Sequence, residues 1–384
     1  MKARIIALYL PQFHPIPEND MWWGKGFTEW TNVKKAVPLF KGHAQPRIPS
    51  ELGYYDLRNH ETRQHQADMA KEAGIEGFCY YHYWFGGKKL LERPFEEVVA
   101  TGKPDFPFCL CWANHTWSNK TWQRKSALQK NSILIEQTYP GYEDDVNHFM
   151  YLLDAFKDKR YIKVDGKLLF VIYDSIGFPN VGKFMDTWKE LAEEHELPGF
   201  FFVGMVPSTL TFTLDKDGKR HRAYPNLRSS ADIFNHVLSL GFDSVNSFGK
   251  RRGEMLYEGR FKSIIKRGLR LAGIDWGDKT YDYEKTVCNY FAPEDMWENV
   301  YPTVLPQWDR TPRVVNADGV YINATPEKFE RHLRQALEIV SKKEAEHRII
   351  FLKSWNEWGE GNYVEPDTIY GRGFLNAIKR VVTD

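Results

Sequence analysis

Apolar runs of strand length alternate with amphipathic, helix-length segments through most of this 384-residue chain. Ile5 to Leu10, Gly77 to Trp84, Phe106 to Trp112, Leu168 to Asp174 and Phe200 to Val206 are apolar at successive positions. Both faces of such strands must be buried, as in a parallel sheet covered by helices. Helices fit between them at His60 to Glu72, Leu90 to Ala100, Tyr142 to Phe156 and Val181 to Glu194. The pattern then loosens into a helix over Ser229 to Leu240, a strand over Phe242 to Val245 and an insertion from Gly249 to about Ala292. Regularity returns with a strand over Val300 to Trp308, a helix over Pro326 to Lys343, a strand over Arg348 to Trp355 and a closing helix over Gly373 to Val382. Eight strands alternating with helices predict an α/β fold, a (β/α)8 TIM barrel with long βα loops. The barrel is expected to occupy residues 1–384 as one domain, with residues 249–292 as a flap before the seventh strand.

In that architecture functional groups collect at the C-terminal ends of the strands. Polar and aromatic residues recur at those positions here, which predicts an aromatic-lined polar cleft. Tyr9, Gln12 and His14 belong to the end of the first strand, Trp30 to the long loop beyond it, and His82 and Trp84 to the second strand. Asn114, His115 and Trp117 follow the third strand, Tyr173 and Asp174 end the fourth, and Trp308, Asp309, Arg310 and Arg313 follow the seventh. His14, His82 and His115 lack partners at metal-ligand spacing, so sugar hydroxyl contacts are expected of them and no metal. Asp309, Arg310 and Arg313 could grip an anionic sugar substituent or form a structural ion pair. Asp174 is an alternative catalytic carboxylate, and Glu29 a weaker one because its loop position is unconstrained by the pattern.

The last strand opens into Ser354-Trp355-Asn356-Glu357-Trp358-Gly359-Glu360-Gly361, where the glycines end regular structure. Two carboxylates three residues apart in a turn can converge on one small volume. Trp355, Asn356 and Trp358 beside them offer flat faces and an amide to a sugar, so the stretch fits glycosidic bond cleavage. The aromatic share supports this, since 15% Phe, Trp and Tyr with 13 tryptophans exceeds the needs of a core. A net charge of +1 points to no nucleic acid partner. Cys79, Cys109, Cys111 and Cys288 form no disulfide framework and read as free thiols. No secretory leader is visible and no run reaches the roughly 18 apolar residues of a membrane span, so a cytoplasmic location is expected. Lys250 to Arg270 carries eight basic and two acidic residues. It reads as a solvated helix, with contact to an anionic membrane surface as the sharper alternative.

Tyr9-Leu10-Pro11-Gln12-Phe13-His14, Trp23-Gly24-Lys25-Gly26-Phe27-Thr28-Glu29-Trp30-Thr31-Asn32 and the Ser354 to Gly361 stretch resemble the WbsX-like family over most of the chain. That family is related to glycoside hydrolase family 99, the endo-α-1,2-mannosidases and mannanases, to which the likeness is concentrated in the Ser354 to Gly361 motif. The resemblance implies a retaining, endo-acting glycosidase with no cofactor and an oligo- or polysaccharide substrate of O-antigen or mannan type. It assigns Glu357 as the base that deprotonates the sugar 2-hydroxyl and Glu360 as the acid, with a 1,2-anhydro sugar between. An acid of this kind calls for a raised pKa, expected from burial of Glu360 among Trp355, Trp358 and Tyr363. The chain departs from family 99 in its first strand and at Gly359, which bears on the sugar.

Two other readings stay open. WbsX-like proteins are also described as glycosyltransferases of surface polysaccharide assembly, and Asp215-Lys216-Asp217 fits a nucleotide-diphosphate metal motif. The same triplet, before Gly218 and between two short strand-like runs, reads as a hairpin turn. A non-catalytic carbohydrate-binding barrel would show the same aromatics without needing the two glutamates.

Overall fold

A computed structural model describes residues 2–119, 132–206, 212–214, 220–222, 227, 229–259, 280–314 and 319–383. Eight parallel strands close into a barrel: β1 (Arg4–Tyr9), β2 (Gly77–Phe85), β3 (Phe108–Trp112), β4 (Lys167–Ile172), β5 (Phe200–Met205), β6 (Ser244–Ser247), β7 (Val300–Val304) and β8 (Ile349–Leu352). Each pairs with its neighbours in sequence, and β1 closes the ring by pairing β2 on one side and β8 on the other. Ile6 stands opposite Gly77 in β2 and Phe351 in β8. The expected (β/α)8 TIM barrel is the fold observed.

The helical layer consists of α1 (His60–Glu72), α2 (Arg93–Thr101), α3 (Tyr142–Lys157), α4 (Val181–Glu194), α5 (Ser230–Ser239), α6 (Lys250–Glu258), α7 (Pro326–Val340) and α8 (Gly373–Thr383). Their starts are written locally. Asn59 caps α1 by accepting from Glu61 N, Ser229 and Asp232 form a capping box on α5, and Thr325 with Pro326 opens α7. Every residue of β2 is buried, because the barrel interior covers one face and helices the other.

Among the boundaries that differ from the sequence reading, those of three strands bear on the site. β8 stops at Leu352 because Ser354 N donates to Asn362 O and Trp355 N to Leu8 O, which takes the chain out of register. β7 likewise ends at Val304. β6 lies two residues later than predicted and is polar: Asn246 is fully buried and donates to Tyr301 O and to Thr303 Oγ1, so the amide is satisfied inside the sheet.

Phe212–Leu214 pairs antiparallel with Arg220–Arg222, while Asp215-Lys216-Asp217 between them lies outside the described residues. Of the predicted flap, α6 packs on the short helix Tyr283–Val287, and residues 260–279 lie outside the described set, as does the second half of the basic stretch 250–270, read as a solvated helix with membrane contact as the alternative. No described helix is long and apolar enough to cross a membrane. The four cysteines are unpaired, three buried and Cys288 exposed.

Candidate functional site

The loop after β8 folds back as a small ribbon in which Asn356–Glu357 pairs antiparallel with Asn362–Tyr363 around one turn of 3-10 helix. Asn356 fixes this ribbon to the loop after β1, accepting from Leu10 N at 2.8 Å and donating to Leu10 O at 3.1 Å. Gly361 closes the turn at φ +64°, hard against Asp309: a Cβ there would lie 2.8 Å from Asp309 N. Glu357 and Glu360 are thereby presented at the C-terminal mouth of the barrel.

Both carboxylates converge on Arg313. Its Nη1 lies 2.9 Å from Glu357 Oε1 and 2.9 Å from Glu360 Oε1, so these oxygens can be no more than twice that distance apart. The other oxygen of Glu357 takes Lys353 Nζ at 3.2 Å, and Lys353 also reaches the Tyr81 hydroxyl at 3.2 Å. Arg310 Nε stands 2.9 Å from Glu360 Oε1. A third carboxylate, Glu29, holds Arg313 from behind through Nη2 at 2.9 Å and accepts from Gly359 N at 2.7 Å. Only glycine fits at 359, where a Cβ would meet Glu29 Oε1 at 2.1 Å.

The electrostatics reverse one expectation. Burial pushes Glu360 up, but the Arg310 and Arg313 guanidiniums and the Lys353 ammonium outweigh it and hold Glu360 down to about 2. The raised carboxyl is Glu29, which burial and the neighbouring Glu357 push to about 7 against the pull of Arg313. Burial lowers His115, as does nearby Lys353, leaving a neutral imidazole at the cleft.

These groups open into a cavity of about 220 Å³. Gln12 lines it from the β1 loop, Tyr81 and Tyr83 from β2, His115 and Trp117 from the β3 loop and Tyr173 from the β4 end. Trp23 and Trp117 are its tryptophan walls, with Trp117 edge-on to Tyr83 at 5.0 Å.

Of the residues singled out from sequence, the structure gathers Gln12, His115, Trp117, Tyr173, Arg310, Arg313, Glu357 and Glu360 around this cavity. The others stand away from it. Trp355 and Trp358 are completely buried, so they cannot serve as stacking platforms; Trp358 stacks on Tyr363 at 3.7 Å and donates to Glu365. Trp30 packs behind them and donates to Tyr55 O. Strand parity sends His82 and Trp84 outward, where His82 meets His148 at 2.7 Å and Trp84 stacks on the same ring. By the same alternation Tyr81 and Tyr83 face inward.

Tyr9 also points outward, to Gln66, and His14 bonds Pro11 O. Asn114 ties the β3 loop to the β4 end by bonding both backbone groups of Asp174, whose own carboxylate accepts from Gly177 N. Trp308 lies under the Lys250 ammonium at 4.6 Å. Asp309 pairs with neither arginine but accepts from His43, Gln45 and Thr311, a loop anchor in place of the anion grip or the arginine ion pair read from sequence. Asn356 is spent on the backbone of Leu10.

Sequence reasoning missed Trp23, Tyr81, Tyr83 and Lys353, and underrated Glu29. The parity of β2 was the available signal for the tyrosines. For Glu29 and Lys353 no local signal exists, since each is defined by a partner far along the chain or by the bend that ends β8. Among the described residues no group of three or more His, Cys, Asp or Glu side chains is arranged to hold a metal ion.

The fold is similar to that of solved glycan-active proteins. A glycoside hydrolase-like protein matches with TM-score 0.55 at 14% identity, covering 99% of this chain and 93% of that one. The GH99 endo-alpha-mannosidase from Bacteroides thetaiotaomicron matches with TM-score 0.53 at 15% identity, covering 99% and 96%. Two curated relatives, the uncharacterized protein WxcX from two strains of Xanthomonas campestris pv. campestris, are 31% identical over the whole chain. This chain spans about half the length of those relatives, 50% in each case. The family described as "Glycosyltransferase WbsX" matches residues 5–378, and the chain belongs to that family.

Proposed function

We propose that the protein cleaves glycosidic bonds of an oligo- or polysaccharide with retention, through Glu357 and Glu360. The observation that carries this is the convergence of both carboxylates on one guanidinium nitrogen at the barrel mouth. Their spacing falls short of the roughly 6.5–9.5 Å that inverting enzymes leave for a water. Trp23 and Trp117 supply the apolar walls for a sugar ring, and Gln12, His115 and Tyr173 the hydrogen-bonding groups.

In the proposed reaction Glu357 takes the proton of the sugar 2-hydroxyl while that oxygen attacks the anomeric carbon. The glycosidic C–O bond breaks and Glu360 gives its proton to the leaving oxygen. Water then opens the 1,2-anhydro ring, with Glu360 taking a proton from it and Glu357 returning one to O2. Because Arg310, Arg313 and Lys353 hold Glu360 ionised, substrate has to draw off a cation for Glu360 to act as acid. The test is an aryl glycoside and its 2-deoxy counterpart: the first should turn over and the second should not, despite its more reactive anomeric centre. Cleavage of the 2-deoxy sugar with a sugar trapped on Glu357 would assign the ordinary two-carboxylate displacement instead.

A second reading, sugar transfer, is supported by the family's description and by the three cations that could receive a phosphate leaving group. Incubation with sugar nucleotides and a glycan acceptor separates the two: transfer yields an elongated glycan, hydrolysis a shortened one.

A further inference from the structure

We propose that the glycan bound beside Glu360 carries an anionic substituent, a carboxylate or a phosphate, and that Arg310 is the residue that reads it. This deepens the proposed function and rests on Glu360 as the acid.

Two guanidiniums share Glu360 Oε1, and they are held very differently. Arg313 is buried, with 8% of its side chain exposed, and is fixed by Glu29 and Glu357 besides Glu360. Arg310 has 37% of its side chain exposed and lines the cleft, with Glu360 as its one ion-pair partner among the described residues. Its guanidinium also lies 6.0 Å from the Trp308 ring, a loose contact that does not compete with a full ion pair. Its terminal nitrogens have no hydrogen-bond partner among the described residues. Of the three cations holding Glu360 ionised, Arg313 is fixed by Glu29 and Glu357 and Lys353 by Glu357, so only Arg310 can be drawn off without uncovering a buried charge.

A neutral sugar offers hydroxyls, which do not outbid a carboxylate for a guanidinium. A carboxylate or phosphate does, because it accepts two parallel N–H bonds from the planar fork. Once Arg310 has turned to that anion, Glu360 keeps Arg313 but loses one of its neutralising charges, and its proton affinity rises toward what an acid needs. The anion is accommodated because, among the described residues, Glu357 and Glu360 are the only carboxylates that line the cavity with Arg310, Arg313 and Lys353, and Glu29 stands behind Arg313. His115 and the Tyr81, Tyr83 and Tyr173 phenols complete the walls and add no negative charge. Substrate charge would thus be coupled to arming of the acid, and neutral glycans would bind without arming it.

The test compares matched glycans: a uronate-containing bacterial surface oligosaccharide with its carboxyl-reduced form, and a phosphorylated one with its phosphatase-treated form. Wild type should show kcat/KM about tenfold or more higher on one acidic member than on its neutral partner. Which pair shows it identifies carboxylate or phosphate. Arg310→Gln should bring that ratio near one by losing rate on the acidic member, while Arg310→Lys keeps part of it. Glu360→Gln, which cannot turn over, should still bind the acidic member more tightly in calorimetry. Equal wild-type rates within both pairs, or a preference that survives Arg310→Gln, overturns the inference while leaving the glycosidase reading in place. Unchanged rates in Glu357→Gln and Glu360→Gln instead overturn the glycosidase reading, and this inference with it.

Discussion

At the scale of single residues the site is organised by Arg313, whose one guanidinium holds Glu29, Glu357 and Glu360. A charge buried this fully is tolerated only because three carboxylates surround it, and the reverse holds for them. Arg313→Met should therefore lower stability by about 3–5 kcal/mol, read as a fall in denaturant midpoint, because it strands buried carboxylates. A change under about 1 kcal/mol would show that the carboxylates take up protons or water at little cost. Glu357→Gln and Glu360→Gln behave differently, since each keeps shape and part of the hydrogen bonding. Rates should fall by about 10²- to 10⁴-fold with the cooperative fold kept and a smaller loss of stability than in Arg313→Met. Full activity in either variant would remove that residue from the chemistry. The pH dependence follows from Glu360, held at about 2 in the folded protein against an ordinary 4.5. Its folded-state pKa is depressed, so its stabilisation is present above pH 4.5 and is lost as pH falls toward 2. Glu360→Gln should lack that component of acid destabilisation.

At the scale of elements, the β8 loop is held by a buried polar layer that hydropathy could not reveal. Glu365 accepts from Trp358 Nε1 at 2.6 Å, Gln66 Nε2 at 2.6 Å and the Tyr55 hydroxyl at 2.9 Å, joining the ribbon to α1 and to the loop before it. Burial pushes its pKa to about 7, against those hydrogen bonds. Because the folded value is raised, the stability it contributes is full below 4.5 and is lost as pH rises through about 7. Glu365→Gln does not titrate, so the difference in Tm should move toward the variant between about pH 5 and pH 8. A difference constant over that range would show that Glu365 does not titrate there. The elements themselves were legible where burial on both sides forces an apolar run: α1 and α4 match their predicted spans residue for residue. β6 was shifted because it is polar at buried Ser244 and Asn246, and Asn246 is satisfied by neighbours that sequence does not show. The Glu357–Glu360 pair stood out because glycines mark a turn. The two tryptophans beside it, Trp355 and Trp358, were read as sugar platforms because composition says nothing of which face a side chain takes. They form the wall behind the site, and the exposed work falls to Trp23 and Trp117.

At the scale of the whole molecule, the site sits on a seam. β1 and β8, from opposite ends of the sequence, pair directly, and the loops after them are tied by Asn356 to Leu10 and by Glu29 to Gly359. α8 lies outside this seam, packing on α7 and on α1, with Phe374, Leu375, Ile378 and Val381 buried. Burying four such side chains contributes roughly 6–12 kcal/mol, at about 1.5–3 each. A whole domain is typically stable by only about 5–15 kcal/mol, so α8 carries a share comparable to the entire margin. Ending the chain after Arg372 should therefore abolish cooperative unfolding, not merely lower Tm, and activity should be lost although no cleft residue is touched. The measurement is calorimetry and near-ultraviolet circular dichroism of the truncated chain beside the full one. A truncated chain that retains a single sharp transition and an intact aromatic signal would show that the seam closes on its strand pairing alone, and that α8 only covers it.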